Sequence, residues 1–270
     1  MIAEIAAVGA VAAGASARWN WWRPAVSGGI PTLMYHKIGD YPPGSQLAKL
    51  WVTAADFRRQ LRYLRDHGYT SINFADWRDA EKGLKPLPEK PVLITFDDGY
   101  MNNYELAYPV LREFGMKGCI FLVYETMDKH NGWHNPATEP WLKMLTWAQI
   151  KEMQDSGTVE FGSHTMRHRN LAELPLDEVR WELVESRKRL EDKLGREMVG
   201  FAYPYGSGAY KPEVRAAALE AGYRFDFSIK QGITRLPWKR EQEAVRRLLI
   251  RGDDNMFDFH LNLTRGRARF

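Results

Sequence analysis

The run Leu93-Ile94-Thr95-Phe96 is apolar enough for a buried strand, yet it ends in two adjacent carboxylates, Asp97 and Asp98, followed by Gly99 and Tyr100. Such a strand must open at the mouth of a sheet or barrel, where loops carry chemistry. Two like charges this close raise each other's proton affinity unless a cation or strong donors neutralise one of them. A metal ion would satisfy the pair.

Around this strand, short apolar runs alternate with helical stretches, the pattern of a parallel sheet with crossover helices. The run from Pro31 to Ile38 reads as a first strand with His36 near its end. Thr53 then caps a helix that spaces Phe57, Leu61 and Leu64 on one face, and Gly68 closes it. A strand is expected at 69–72, a helix at 74–82 and a Pro86/Pro88 loop into the Asp-Asp strand. Further helices are expected at 103–114, 146–156, 176–194 and 212–221, and strands at 118–123, 158–161, 199–203 and 245–250. The count is seven or eight strand–helix units. A chain of 270 residues, 44% of them hydrophobic, can bury the core of one α/β barrel.

A second cluster lies in Phe161-Gly162-Ser163-His164-Thr165-Met166-Arg167-His168. Two histidines four apart can converge on one ion if the segment turns helically. The pattern alone is weak, but beside an Asp-Asp strand end it becomes strong. One carboxylate and two imidazoles leave coordination positions open, which suits catalysis rather than structural closure.

These motifs resemble those of the polysaccharide deacetylases that carry the NodB homology domain, carbohydrate esterase family four. Thr95-Phe96-Asp97-Asp98-Gly99 matches the first motif completely, and His164-Thr165-Met166-Arg167-His168 matches the second. The third, Arg-x-Pro-Tyr, is half kept as Ala202-Tyr203-Pro204-Tyr205. The resemblance spans residues 30–265 and implies a distorted (β/α) barrel of NodB type. It further implies that Asp98, His164 and His168 bind Zn2+ or another divalent transition metal, and that Asp97 is the base for attack by a metal-bound water. Tyr205 would offer its backbone N–H to the oxyanion, and Pro204 would fix that peptide at the substrate.

An amine leaves poorly unless it is protonated, so a general acid is required. In most of the resembled family a histidine at a late strand end supplies it, but here the exit of Val245–Ile250 reads Arg251-Gly252-Asp253. The Tyr35-His36 element resembles the branch that de-N-acetylates poly-N-acetylglucosamine, and His36 is therefore expected to be the acid. His260 is the rival, on a terminal amphipathic helix. Ala202 cannot tether the base as the family's third-motif arginine does. Arg247, on the late strand, could reach Asp97 from another side; a solvated surface charge is the equal alternative.

The stretch from Tyr124 to Trp147 is long and aromatic, and Trp133 and Trp141 are expected to stack on sugar rings; a loop packing its own aromatics is the other reading. His130 and His134, also four apart, lack an accompanying carboxylate motif. The net charge of +4 is spread over helices in mixed sign, which argues against a nucleic-acid partner. One cysteine, Cys119, excludes an intramolecular disulfide.

Residues 1–29 are expected to be an apolar segment and linker, 30–265 the catalytic domain and 266–270 a basic tail. The Arg18/Trp19/Trp21/Trp22/Arg23 cluster favours a membrane interface. An exported or membrane-associated protein of the cell envelope is thus expected, with a cytoplasmic location as the alternative. The expected function is a metal-dependent hydrolase that removes N-acetyl groups from an N-acetylhexosamine-containing polysaccharide. The alternatives are hydrolysis of another amide or of O-acetyl esters, and a dead carbohydrate-binding module.

Overall fold

The structure, a computed structural model, describes residues 18–269. Its sheet contains β1 (Thr32–Tyr35), β2 (Thr70–Ile72), β3 (Pro91–Phe96), β4 (Gly118–Leu122), β5 (Val159–Ser163), β6 (Gly200–Ala202), β7 (Phe225–Gln231) and β8 (Val245–Leu249). All neighbours run parallel, and seven strands close a ring in the order β1-β8-β7-β6-β5-β4-β3, with β3 returning to β1. β2 lies outside the ring, paired with residues 91–93 of β3. The expected distorted (β/α) barrel is therefore present as seven closed strands plus one.

Helices α1 (Ala54–Asp66), α2 (Phe74–Glu81), α3 (Tyr108–Glu113), α4 (Trp147–Asp155), α5 (Leu176–Leu194), α6 (Pro212–Glu220) and α7 (Met256–Arg265) fill the connections. Thr53, Asn73, Thr146 and Asn255 each cap a helix through a side-chain oxygen. A π-helical turn at Asn103–Ala107 precedes α3, next to Pro109, which has no N–H to give the ladder.

Period-two alternation sorts the strand residues into two cores. Leu33, Tyr35, Val92, Ile94, Phe96 and Phe161 face the helices, meeting Phe57, Leu61, Leu111 and Leu183. Leu93, Cys119, Phe121, Ala202, Phe227 and Val245 form a second cluster, which the ring encloses. Phe74 and Trp77 of α2 join this inner cluster; the Phe74 ring lies 5.5 Å from Phe121 and 5.4 Å from Phe227. Gly200 is needed there, since a Cβ would sit 2.8 Å from the Phe74 ring. Above that plug, inward-facing positions are free to carry polar groups.

One strand was not anticipated, and the two ends of the described residues meet. Phe225–Gln231 is a central strand that the sequence reading left unassigned. Its fully buried Asp226, paired with Arg215 at 2.8 Å and with the Tyr203 hydroxyl at 3.0 Å, breaks the apolar run that would have marked it. The expected linker and basic tail are also joined to each other. Asn20 donates to the Ala268 carbonyl at 2.8 Å, Trp19 Nε1 donates to Asp258 at 2.7 Å, and the Arg269 guanidinium also binds Asp258. Arg269 is thus paired with a buried acid on α7. Residues 1–17 lie outside the described residues.

Candidate active site

Parity decides which side chains reach the barrel mouth. Leu93 points inward, so Thr95 and Asp97 follow it; Val245 points inward, and so does Arg247. The Arg247 guanidinium grips Asp97 with both prongs, Nη1 to Oδ1 at 2.6 Å and Nη2 to Oδ2 at 2.9 Å. Its Nε donates to the Ser228 carbonyl at 2.9 Å. That carbonyl is presented where the β7–β8 register shifts between Phe227 and Gln231. Arg247 is fully buried, so the surface-charge reading of this residue is excluded. Burial alone would raise the Asp97 pKa. The Arg247 charge, then His164 and His36, overcome it and hold the carboxyl below its ordinary value.

Asp98, His164 and His168 come together as expected. Asp98 Oδ1 lies 3.3 Å from His164 Nε2 and 3.1 Å from His168 Nε2, and all three residues are buried. They are the one such group of three metal-ligating side chains found among the described residues. The donor set fits a cation. His164 Nδ1 is 2.8 Å from the Ala202 carbonyl, which can only accept, so in the neutral ring Nδ1 carries the proton. In that tautomer the Nε2 lone pair faces a carboxylate oxygen, an arrangement that a bound cation would satisfy. The carbonyl contact is also the usual way a ligating histidine is oriented. Asp98 itself is held well below its ordinary pKa: burial acts upward, but the His168 charge and the two imidazole contacts prevail.

Strain concentrates here. Asp98 (φ 77°), Thr165 (φ 71°), His168 (φ 58°) and Tyr205 (φ 57°) all adopt the left-handed region. Each such residue costs of order 1–3 kcal/mol, a cost tolerated where function fixes the geometry. At Tyr205 the cause is a turn. The Gly206 N–H donates to the Tyr203 carbonyl at 2.9 Å, with Pro204 and then the positive-φ Tyr205 between them. That is the type II pattern, in which the central peptide is flipped relative to type I.

His36 leaves β1 on the inward parity. Its Nε2 lies 3.9 Å from Asp97 Oδ2, and Asn103 Nδ2 fixes its carbonyl at 2.9 Å. Burial lowers its pKa, while Asp97 and Asp98 act in the opposite direction. His36 Nδ1 and the Tyr100 hydroxyl are buried without a hydrogen-bond partner among the described residues. His260 is elsewhere, with Nδ1 2.7 Å from the Tyr63 hydroxyl.

A cleft of about 580 Å³ opens beside His168, lined by Trp133, Tyr205, Arg167, Arg169, Asn170 and Glu173 among others. The Trp133 ring stacks on His168 at 4.2 Å. Trp141 is half exposed, its Nε1 bonded to the His134 carbonyl, and it does not line this cleft. One anchor of the aromatic loop escaped the sequence reading. Glu139 meets the fully buried Lys37 at 3.1 Å and accepts from Ser45 Oγ at 2.6 Å. A lone Lys after His36 gave no signal of such a partner 102 residues away.

The ends of a parallel barrel's strands thus gather an arginine-held carboxylate beside an Asp/His/His group that could hold a metal ion. The chain belongs to the polysaccharide deacetylase family: a family model described as "Polysaccharide deacetylase" matches residues 84–225. The YxkH protein of Bacillus subtilis is 32% identical over 204 residues, covering 75% of this chain and 65% of the relative. A poly-beta-1,6-N-acetyl-D-glucosamine N-deacetylase of Escherichia coli K12 is 24% identical over 273 residues, covering 86% of this chain but 38% of the relative. The chain thus spans less than two thirds of either. A polysaccharide deacetylase from Bacillus cereus superposes with a TM-score of 0.72 at 28% identity, over 87% of this chain and 69% of that one.

Proposed function

We propose that the protein is a metal-dependent deacetylase that cleaves N-acetyl groups from a poly-N-acetylhexosamine, a β-1,6-linked N-acetylglucosamine polymer being the first candidate. The observation that carries this reading is a single mouth holding Asp97 tethered by Arg247, His36 within 4 Å of it, and three acceptors converging at Asp98. Family membership and the poly-N-acetylglucosamine deacetylase among the relatives support the substrate class.

Asp98, His164 and His168 would hold the cation, Zn2+ or a similar divalent ion. When bound, such an ion supplies Lewis acidity to a carbonyl oxygen and eases deprotonation of water. The rest falls to this chain's side chains. Asp97, kept ionised by Arg247, takes the proton of the attacking water. The Tyr205 N–H offers a donor to the developing oxyanion, a kind of contact worth roughly 10²–10³ in rate. His36 carries a proton to the departing amine, which sets amide cleavage apart from ester cleavage in its need for an acid. Trp133 and Tyr205 provide ring faces for the sugar, and Pro204 holds the turn between them and the centre.

Acetate release from poly-β-1,6-N-acetylglucosamine, chitooligosaccharide and acetylated xylan, each with and without chelator, tests the proposal. Chelator-sensitive release from the first is expected. Release from xylan alone would overturn the N-acetyl assignment, and chelator-resistant release would overturn the metal. We also propose an envelope location, supported by the exposed Trp21 and Trp22, the latter with Arg23 over its ring. No described helix is long and apolar enough to cross a membrane. Recovery of the native protein solely from the soluble cytoplasmic fraction would refute that placement.

A further inference from the structure

Both imidazoles of the candidate metal site ride on one loop, residues 163–168, and that loop is not held by its own contacts alone. Glu182 on α5 is 1% exposed, and its Oε2 accepts the N–H of Met166 at 2.9 Å and of Arg167 at 3.1 Å. Two consecutive amides aimed at one oxygen make an anion-binding concavity. Here the anion is a side chain of the same protein, and it forms no ion pair among the described residues. A buried carboxylate without a cation is costly unless hydrogen bonds such as these two replace its lost hydration.

What those bonds hold is a strained path. Thr165 and His168 both have positive φ, and between them lie the two amides that Glu182 gathers. Inside the loop, Thr165 Oγ1 accepts the His168 N–H at 3.0 Å and Ser163 Oγ accepts the Thr165 N–H at 3.2 Å. Ser163 Oγ in turn bonds Ser186 Oγ at 2.9 Å, one helical turn beyond Glu182 on the same face of α5. Helix α5 thus pins the loop at two points, at the strand exit through Ser186 and at its crest through Glu182.

We propose that Glu182 is the positioning residue of the metal centre. Its carboxylate locks loop 163–168 in the conformation that turns His164 Nε2 and His168 Nε2 onto Asp98. The inference rests on reading Asp98, His164 and His168 as metal ligands, and it assigns Glu182 no contact with substrate or ion.

The test uses the full chain stripped of metal, with Zn2+ affinity measured by competition against a chromophoric chelator and the Co2+ form followed by its visible absorption. Thermal melting in chelator reports on the fold separately. Glu182→Ala should weaken Zn2+ about 10–100-fold, the usual effect of losing a group that orients ligands, and should change the Co2+ spectrum. Glu182→Gln keeps an oxygen able to accept both amides and should stay within about threefold of wild type. Affinity and spectrum unchanged in Glu182→Ala would overturn the proposal. So would Glu182→Gln as weak as Glu182→Ala, because the effect would then belong to charge. If Glu182→Ala does not fold, Glu182→Asp decides: the charge stays and the reach shortens by one methylene, so a loss of about tenfold is expected and an unchanged affinity refutes the idea. Wild-type protein that binds neither ion would sink the metal reading itself, whatever the variants do.

Discussion

Replacing Arg247 with alanine should do two separable things. The guanidinium is fully buried and makes two charge-assisted bonds, at 2.6 and 2.9 Å, to a carboxylate that is itself 4% exposed. Breaking a buried pair by removing one partner typically costs about 3–5 kcal/mol, because the other charge stays behind. For a chain of this size that is roughly 6–20 °C in melting temperature. The second effect concerns protons. Burial acts upward on Asp97, and Arg247 is the strongest influence opposing it, so the carboxyl should rise in the variant. Each unit of rise is about 1.36 kcal/mol. In the wild type the depressed Asp97 contributes stability above its unfolded value near about 3.9, lost as pH falls through the native value. In the variant the sign reverses, and stability declines as pH climbs toward the raised value. The gap in melting temperature between wild type and Arg247→Ala should therefore widen from pH 4 to pH 7. A base must be ionised to act, so the acidic limb of kcat/KM should also move to higher pH. Melting curves across that range, with the pH–rate profile of acetate release, check both effects. An acidic limb that stays in place, with melting temperatures within about 2 °C of each other, would refute the reasoning.

Three further outcomes are expected. His36→Ala should lower turnover on an N-acetyl substrate by about 10²–10⁴; a change of only a few-fold would remove His36 from the acid role. Trp133→Ala should raise KM about tenfold, equivalent to about 1.4 kcal/mol, with kcat within about threefold; an unchanged KM for an oligosaccharide would show that the ring on His168 does not meet the sugar. Asp254, whose pKa is pushed up to about 6 mainly by burial, binds its proton more tightly folded than unfolded. It therefore weakens the fold as pH rises from about 4 to about 6, by up to about 3 kcal/mol for a two-unit shift. Asp254→Asn should remove this pH dependence and melt higher than wild type at pH 7; identical melting curves at pH 7 would contradict it.

How much could be read from the chain alone follows from which signals are local. The Asp-Asp strand end and the His164/His168 pair are short-range patterns, and one parity rule carries Asp97 and His164 to the mouth. Most elements announced themselves by caps and apolar spacing, as with Thr53 ahead of Phe57 and Leu61. β7 did not, because its buried Asp226 is neutralised by Arg215 eleven residues earlier, a partner that no local pattern reveals. Glu139 and Glu182 were invisible for the same reason. Each is an acid in a polar stretch whose burial depends on what the barrel brings opposite: Lys37 in one case, two backbone amides in the other. The pairing of Arg269 with Asp258 was likewise not legible, since in sequence Arg269 is one of several C-terminal arginines.

The two departures from the family's motifs meet at one seam of the barrel. The third motif lacks its arginine at Ala202 on β6, and the late strand exits without a histidine. β8, where that histidine would follow, instead carries Arg247, which fills the inward position beside Asp97 and leaves no second polar group on that strand facing the carboxylate. β8 pairs with β1 through Leu248 opposite Leu33 and Leu249 opposite Met34. β1 in turn pairs with β3 through Tyr35 opposite Phe96. The residue after Tyr35 therefore emerges beside the residue after Phe96, and His36 comes to lie 3.9 Å from the Asp97 oxygen that also receives Arg247 Nη2. Closing the ring through β1 is what brings these two residues, from opposite ends of the sequence, to the same carboxylate. An open sheet with β3 at one edge and β8 at the other would have kept both Arg247 and His36 away from Asp97. The order of strands, as much as the identity of the motifs, determines which residues meet at Asp97.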